Sequence, residues 1–222
     1  MTSIPIASMT DEHPMNWDEF SAAVRLLKSG VSRLLFRDVV KAATGHTILP
    51  FDETSSRILA DIRSWLDQHL SELSNLIEMD YVGRPNELGN FLERVLLARL
   101  DESLSLSVDM PTTEQGHKQA VGYPDGVIVD HSTGQVVYFD VKIFQEKTRT
   151  SSLRSFYYQP TNQSKILHDA PHFLVGFVVE SLSGDNRPPF IIKDYELVDI
   201  YNLEVNFKAE FNASNQDLYG DE

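Results

Sequence analysis

Gly122-Tyr123-Pro124-Asp125-Gly126-Val127-Ile128-Val129-Asp130 and, a few residues on, Tyr138-Phe139-Asp140-Val141-Lys142 are the stretch that decides how this chain folds. Pro-Asp-Gly is turn chemistry: proline pre-sets φ, and Asp and Gly tolerate the conformations a turn demands. His131-Ser132-Thr133-Gly134 is a polar, glycine-containing connection between two runs rich in Val, Ile, Tyr and Phe, the pattern of a β-hairpin. Successive side chains of a strand face opposite sides, so Asp140 and Lys142 share a face while Val141 points into a core. Two residues at ~3.4 Å rise set that carboxylate and that ammonium about 7 Å apart along the strand. Asp125 opens the neighbouring strand; sequence does not fix the register, but a neighbouring-strand pairing lets it approach Asp140.

Outward from the hairpin, whose strands span Tyr123 to Asp130 and Gln135 to Phe144, further β-rich runs occupy Leu104 to Val108, Phe173 to Glu180 and Phe190 to Ile200. Phe173-Leu174-Val175-Gly176-Phe177-Val178-Val179 is continuously apolar and reads as a buried central strand. Ser151 to His168, with Leu153, Phe156, Tyr157, Ile166 and Leu167, reads as a partly helical crossover despite Pro160. Towards the N-terminus the pattern changes period. Phe20, Val24, Leu27, Val31, Leu34, Leu35 and Val39 recur at three- and four-residue steps, predicting one or two amphipathic helices over Trp17 to Ala43, broken near Gly30. Gly45 to Phe51 is a loop; Ile58, Ile62, Leu66, Leu70, Leu73 and Ile77 then mark a long helix from Thr54 to about Met79. Tyr81 to Asn86 interrupts, and Pro85 or Asn86 begins a third helix running through Leu100. Helices followed by strands with one crossover predict an α+β fold, a mixed α/β sandwich with a central mixed sheet flanked by helices and a helical N-terminal part.

The 222 residues suit a single domain: a helical part over 1–83, a core over 84–200, and a polar, flexible tail over 212–222, with a loose lead from Met1 to about Asn16. Apolar residues at 41% and charged residues at 23% are ordinary globular usage. No apolar run approaches the ~20 residues needed to span a bilayer, and no basic segment leads into an apolar one at Met1-Thr2-Ser3-Ile4-Pro5, so a soluble, cytoplasmic protein is expected. The absence of cysteine excludes disulfides, thiolate nucleophiles and Cys-ligated zinc. Of the seven histidines none stands in HxH spacing and only His168 and His172 stand in HxxxH spacing, with Pro171 between them setting that pair against a shared helix face, which disfavours a zinc hydrolase.

A net charge of −14 weighs against a nucleic-acid partner, since phosphate binding is driven by Lys and Arg displacing counterions. The charge is unevenly spread. From Lys142 to His168, Lys142, Lys147, Arg149, Arg154 and Lys165 face only Glu146, and from Arg25 to Lys41, Arg25, Lys28, Arg33, Arg37 and Lys41 face only Asp38. Arg33, Arg37 and Lys41 are four-spaced on the expected helix, where ordinary solvation explains them. Much of the acid excess lies in Asp185 to Glu222.

Hydrolysing a phosphodiester needs an in-line water and charge relief on the scissile phosphate and leaving oxygen. Two hard carboxylates, Asp125 and Asp140, can hold Mg2+, and Lys142 can act on the water or neutralise the transition state. Pro124-Asp125 followed by Asp140-Val141-Lys142 resembles the PD-(D/E)xK nuclease superfamily, which includes many type II restriction endonucleases, and the apolar Val136 to Phe139 resembles its second core strand. The resemblance implies a restriction-endonuclease-like core and a further glutamate from a preceding helix. Gly89-Asn90-Phe91-Leu92-Glu93-Arg94-Val95 is similar to that element; Glu87 competes, and the Gly89 context favours Glu93.

Lys147-Thr148-Arg149-Thr150-Ser151-Ser152 is similar to the basic, hydroxyl-rich segment after the lysine strand in blunt-cutting restriction enzymes. Arg149 or Arg154 suits guanine edges and Gln159, Asn162 and Gln163 suit adenine edges, while hydroxyls such as that of Thr148 more often touch phosphates, and Lys147 joins them as a DNA-binding candidate. The expectation is a Mg2+-dependent endonuclease acting on double-stranded DNA as a homodimer, because cutting both strands of a two-fold site calls for two small active sites. A plainer reading takes Asp-x-Lys as a surface pair on a strand and the chain as a non-catalytic acidic interaction or inhibitor protein. A repair nuclease of the same superfamily that recognises DNA structure is a third.

Overall fold

A computed structural model describes residues 16–29, 31–81, 83, 87–103, 106–119, 121–152, 156–185, 187–208, 213–214 and 218–219. In chain order the elements are α1 (Trp17–Ser29), β1 (Val31–Leu35), α2 (Phe36–Thr44), α3 (Glu53–Asp80), α4 (Leu88–Ser103), β2 (Leu106–Asp109), β3 (Gly126–Asp130), β4 (Val136–Phe144), β5 (His172–Ser181), β6 (Phe190–Asp199) and β7 (Glu204–Phe207). The chain groups into two compact units, one drawn from Met1–Leu34 with Glu204–Glu222 and the other Leu35–Leu203. The first holds α1 and a two-stranded sheet of β1 and β7. No helix of the described residues is long and apolar enough to cross a membrane.

The second unit carries a five-stranded mixed sheet in the order β2-β3-β4-β5-β6. β4 and β5 run parallel and the other neighbours antiparallel. This is the expected mixed α+β architecture. The strands follow their sequence: the period-two run of β4 sends Val137, Phe139 and Val141 into one apolar core together with Ile128, Phe173, Val175 and Phe177. Ile58, Ile62, Leu66, Leu73 and Ile77 of α3 and Leu88, Leu92, Leu96 and Leu100 of α4, spaced by three and four, supply the helical side of that core. Burying each such side chain contributes about 1.5–3 kcal/mol, more than any local propensity term, so this stripe decides where the helices sit. α3 starts at a capping box in which Asp52 Oδ1 accepts from Ser55 N–H at 2.8 Å and Ser55 Oγ accepts from Asp52 N–H at 2.9 Å.

A second cluster forms around Phe36 of α2, which meets Tyr123, Phe156 and Tyr158 edge-to-face, with His172 stacked on Tyr123 and Tyr138 against His172. At the mouth of the hairpin only glycine fits position 126. A Cβ there would lie 2.0 Å from Phe139 Cε1, inside its ring.

Two expectations need correction. The helices expected over Trp17 to Ala43 are separated by β1, because Val31–Leu35 pairs with β7 from the far end of the chain, a partner no local periodicity reveals. Arg33 therefore stands on a strand, at φ 60 with its N–H donating to Asn206 Oδ1 at 3.2 Å, and shares no helical stripe with Arg37 and Lys41. The described residues of the 151–168 crossover are extended and irregular rather than partly helical. Phe156 and Tyr158 both turn toward Phe36 while Tyr157 between them is exposed, a period of two where a helix needs 3.6. Gly30, Pro85 and Asn86 as helix boundaries, Leu104 as a strand start, Leu153, the lead before Asn16 and most of the 212–222 tail lie outside the described residues.

Candidate active site

β3 and β4 pair in the register Gly126↔Phe139 and Val127↔Tyr138. Continued by one residue, that register sets Asp125 opposite Asp140, and Asp125 N–H donates to the Phe139 carbonyl oxygen at 3.0 Å. Asp125 Oδ2 accepts from Val141 N–H at 2.8 Å, so one of its oxygens is used to clamp the two strands together. Asp140 is 3% exposed. Its Oδ2 has the Lys142 ammonium beside it as an ion pair, yet no donor among the described residues reaches that oxygen with hydrogen-bond geometry. Lys142 also donates to its neighbour's carbonyl, Val141 O, at 3.3 Å, and its Nζ lies 5.9 Å over the ring of Phe156.

Glu93 enters from α4, its neighbours Leu92 and Leu96 anchoring the helix in the core, and is 8% exposed. Burial, then the charge of Asp125, pushes its pKa up to about 7, opposed by Lys165, Arg94 and Lys142. Burial and Asp125 raise Asp140 as well, against Lys142. Glu87 is exposed and its charge acts on Tyr81, away from these acids. The structure thus brings Glu93, Asp125, Asp140 and Lys142 into one electrostatic cluster.

Three residues of the cluster were not singled out from sequence. Lys165 is buried and feels Asp125, Glu93 and Asp140. Tyr123, just before the Pro-Asp pair, is hydrogen-bonded to His172 Nδ1 at 2.5 Å behind Asp140 and Asp125; burial first, then those two charges, holds its hydroxyl protonated. Burial pushes His172 down to about 3, so it is neutral, and its Nε2 has no partner among the described residues. The available signal was weak: an aromatic next to a turn, and a lysine in a stretch without periodicity.

The expected DNA-contacting residues lie elsewhere and are mostly exposed. Glu146–Thr148 is a single 3-10 turn, with Thr148 Oγ1 donating to the Gln145 carbonyl at 2.8 Å and Lys147 in solvent. Arg149 is gripped by Glu146, at 2.8 and 3.0 Å, and by Glu196, with its guanidinium 5.0 Å over Phe144. Gln159 accepts from the Tyr157 hydroxyl at 2.8 Å, and Asn162 and Gln163 are exposed. Arg154 lies outside the described residues.

Among the described residues no three His, Asp or Glu side chains form a metal cage by themselves. A hard ion such as Mg2+ keeps several waters and takes one or two carboxylates plus substrate phosphate. Asp125 and Asp140 fit as such a pair: the β3–β4 register continued by one residue sets them opposite each other at the hairpin mouth, and the Lys142 ammonium is paired with the buried Asp140 Oδ2.

The type II restriction enzyme MjaV of Methanocaldococcus jannaschii is 27% identical over 218 residues, covering 91% of this chain and 92% of that protein. The model of the type II restriction enzyme MjaV family matches residues 30–222, which include every residue of the cluster. The chain belongs to the type II restriction enzyme MjaV family, and with it to the site-specific deoxyribonucleases.

Proposed function

We propose that the chain is a Mg2+-dependent endonuclease that hydrolyses phosphodiester bonds of double-stranded DNA at a short palindromic site, working in the cytoplasm as a homodimer with its catalytic core within residues 84–200. The observation that carries this reading is the convergence of Glu93, Asp125 and Asp140 with Lys142 at the open end of the β3–β4 hairpin. Asp125 and Asp140 would hold the ion; when bound it relieves charge on the phosphate and acidifies a water.

The chain's own residues supply the rest. Val141 N–H fixes Asp125 Oδ2, leaving the other oxygen for the ion. Lys142, 30% exposed and paired with Asp140, orients the attacking water and offsets charge developing on the phosphate. Glu93 orients a water on the ion or adds an oxygen to it. Lys147, Thr148, Gln159, Asn162 and Gln163 contact the duplex together with Arg154, and Arg149 joins them on exchanging Glu146 or Glu196 for a phosphate or a guanine edge.

The purified chain is tested by incubation with phage DNA and Mg2+. Discrete fragments are expected. A smear or random nicks would favour a nuclease that reads DNA structure, and a protein that neither cuts nor shows salt-dependent duplex binding would end the nuclease reading.

A further inference from the structure

In the scheme above Gln159 is one of several duplex contacts and Tyr157 has no role, yet the fold sets both beside the catalytic lysine. The rings of Phe156 and Tyr158 each meet Phe36 edge-to-face, at 4.9 and 5.3 Å, and each also meets Tyr123, at 5.6 and 5.9 Å. Tyr123 is two residues from Asp125, and Lys142 Nζ lies 5.9 Å over the Phe156 ring. Alternate side chains of the segment are thus packed on the cluster that underlies the Pro-Asp turn, and the backbone between them is anchored. In an extended segment the residues between and after them face the opposite way. Tyr157 is 57% exposed, and Gln159 is exposed on the same side. A phosphate placed at Lys142 lies next to Phe156. The major groove of the same duplex, about 12 Å wide, is then the surface that exposed side chains one and three residues further on would meet.

The two exposed side chains act together. The Tyr157 hydroxyl donates to Gln159 Oε1 at 2.8 Å, which fixes the corner of the amide that carries oxygen. Oε1 keeps a second lone pair, and Nε2 donates to no acceptor among the described residues. An acceptor and a donor side by side in one plane match the major-groove edge of adenine, whose N6–H donates and whose N7 accepts. Guanine presents two acceptors there, O6 and N7, and satisfies only the amide N–H. A glutamine gives up rotamer freedom when it binds, and the Tyr157 hydroxyl has already restricted this one. We infer that Gln159, held by Tyr157, reads an adenine of the recognition site in the major groove, with Tyr157 as a positioning residue. The inference rests on the nuclease reading and deepens it, naming a pair of residues through which the enzyme selects sequence.

The test uses the full chain and the site located by the phage-DNA digest. Each adenine of that site is replaced in turn by 7-deazaadenine, which removes N7 and leaves base pairing unchanged. Cleavage kcat/KM with Mg2+ is measured for the wild type, Gln159→Leu and Tyr157→Phe. Tyr157→Phe keeps the ring, so a packing or stacking role survives it and only the hydroxyl is lost. At one adenine the analogue is expected to slow the wild type about fivefold or more, while Gln159→Leu is about tenfold slower on the unmodified site and indifferent to the analogue within about twofold. Tyr157→Phe is expected to be about 3–10-fold slower on the unmodified site and to show less than about half the wild-type analogue penalty. A merely structural pair would lower the rates and leave that penalty intact. The inference is overturned by a site without adenine, by a wild type that tolerates the analogue at every adenine, or by either variant retaining about half or more of the penalty. In each of those cases the wild-type fragments keep the nuclease reading, whereas a wild type that cuts no DNA ends both.

Discussion

The two ends of the β3–β4 hairpin each carry a buried or half-buried aspartate, and they are built to opposite purposes. At the turn end Asp130 is fully partnered: its Oδ1 accepts from Ser132 N–H at 2.8 Å and Ser132 Oγ at 2.6 Å, and Arg57 pairs with Oδ2. These hydrogen bonds, led by the Ser132 hydroxyl, hold its pKa at about 2. At the open end Asp125, Asp140 and Glu93 crowd one another, and burial with like charge drives Glu93 and Asp140 upward. One end spends a carboxylate on closing a turn; the other sets carboxylates against one another, which lowers stability where they are ionised and, on the proposed function, is where a cation would bind. Residue type alone does not separate the two ends, but the sign of the pKa shift does.

The contrast is broken most strongly at the open end. Asp140→Asn is expected to reduce single-turnover cleavage by roughly 10³-fold or more, while Asp130→Asn lowers Tm and leaves cleavage by the folded fraction unchanged. Wild-type cleavage by Asp140→Asn, or loss of cleavage in well-folded Asp130→Asn, would reverse the roles assigned here. Lys142→Ala should cost on the order of 10²–10⁴-fold in rate. It also leaves Asp140 buried beside Asp125 without its ammonium, so the variant's cleavage-independent signature is further proton uptake at neutral pH.

Glu93→Gln should cost roughly 10–100-fold in activity or metal affinity, and Glu87→Gln almost nothing; equal losses would show that the helical acid has been misassigned. Gly126→Ala is expected to destabilise the fold by about 1–3 kcal/mol through the clash with Phe139, read by denaturant unfolding. The smallest effect belongs to the exposed Arg149 cluster. Glu196→Gln should change stability by less than about 1 kcal/mol and tighten DNA binding at low salt, by freeing Arg149 from one of its two acids.

Stability against pH sharpens the same comparison. The folded pKa of Asp130 lies below its unfolded value, so its contribution is present above about pH 4 and is lost as pH falls toward 2. Glu93 is the reverse: its folded pKa of about 7 exceeds its unfolded value of 4.5, so the folded state holds the extra proton and the metal-free protein loses stability as pH rises from about 4.5 to 7. Asp140 acts in the same direction. Asp130→Asn should flatten the acid limb of the stability profile, and Glu93→Gln the limb approaching neutrality, when both are measured with chelator present.

Much of this was legible in the sequence because the hairpin is a local structure. Its two runs are rich in Val, Ile, Tyr and Phe, and both acids and the lysine fall within it, so the two-residue period of a strand was enough to put Asp140 and Lys142 on one face. Phe173 to Val179 declared an interior strand by being continuously apolar, and β5 does lie between β4 and β6. Glu93 needed a family resemblance, since one glutamate on a helix has no local mark distinguishing it from Glu87. What stayed hidden depends on distant partners. β1 exists because β7 pairs with it, and the aromatic cluster around Phe36 gathers residues from α2, the Pro-Asp turn and the crossover. Lys165 lies in a segment without periodicity, and only its burial marks it.

The most direct test of a cation site at the open end is to let the ion report its own position. With Fe2+ in place of Mg2+, ascorbate and peroxide generate hydroxyl radicals that cut the polypeptide beside the bound metal, and the fragments are mapped by mass spectrometry. Cuts are expected near Asp125 and Asp140, suppressed by excess Mg2+ and absent from Asp140→Asn. Cuts gathered at the turn around Asp130, or an unchanged pattern in Asp140→Asn, would contradict the account.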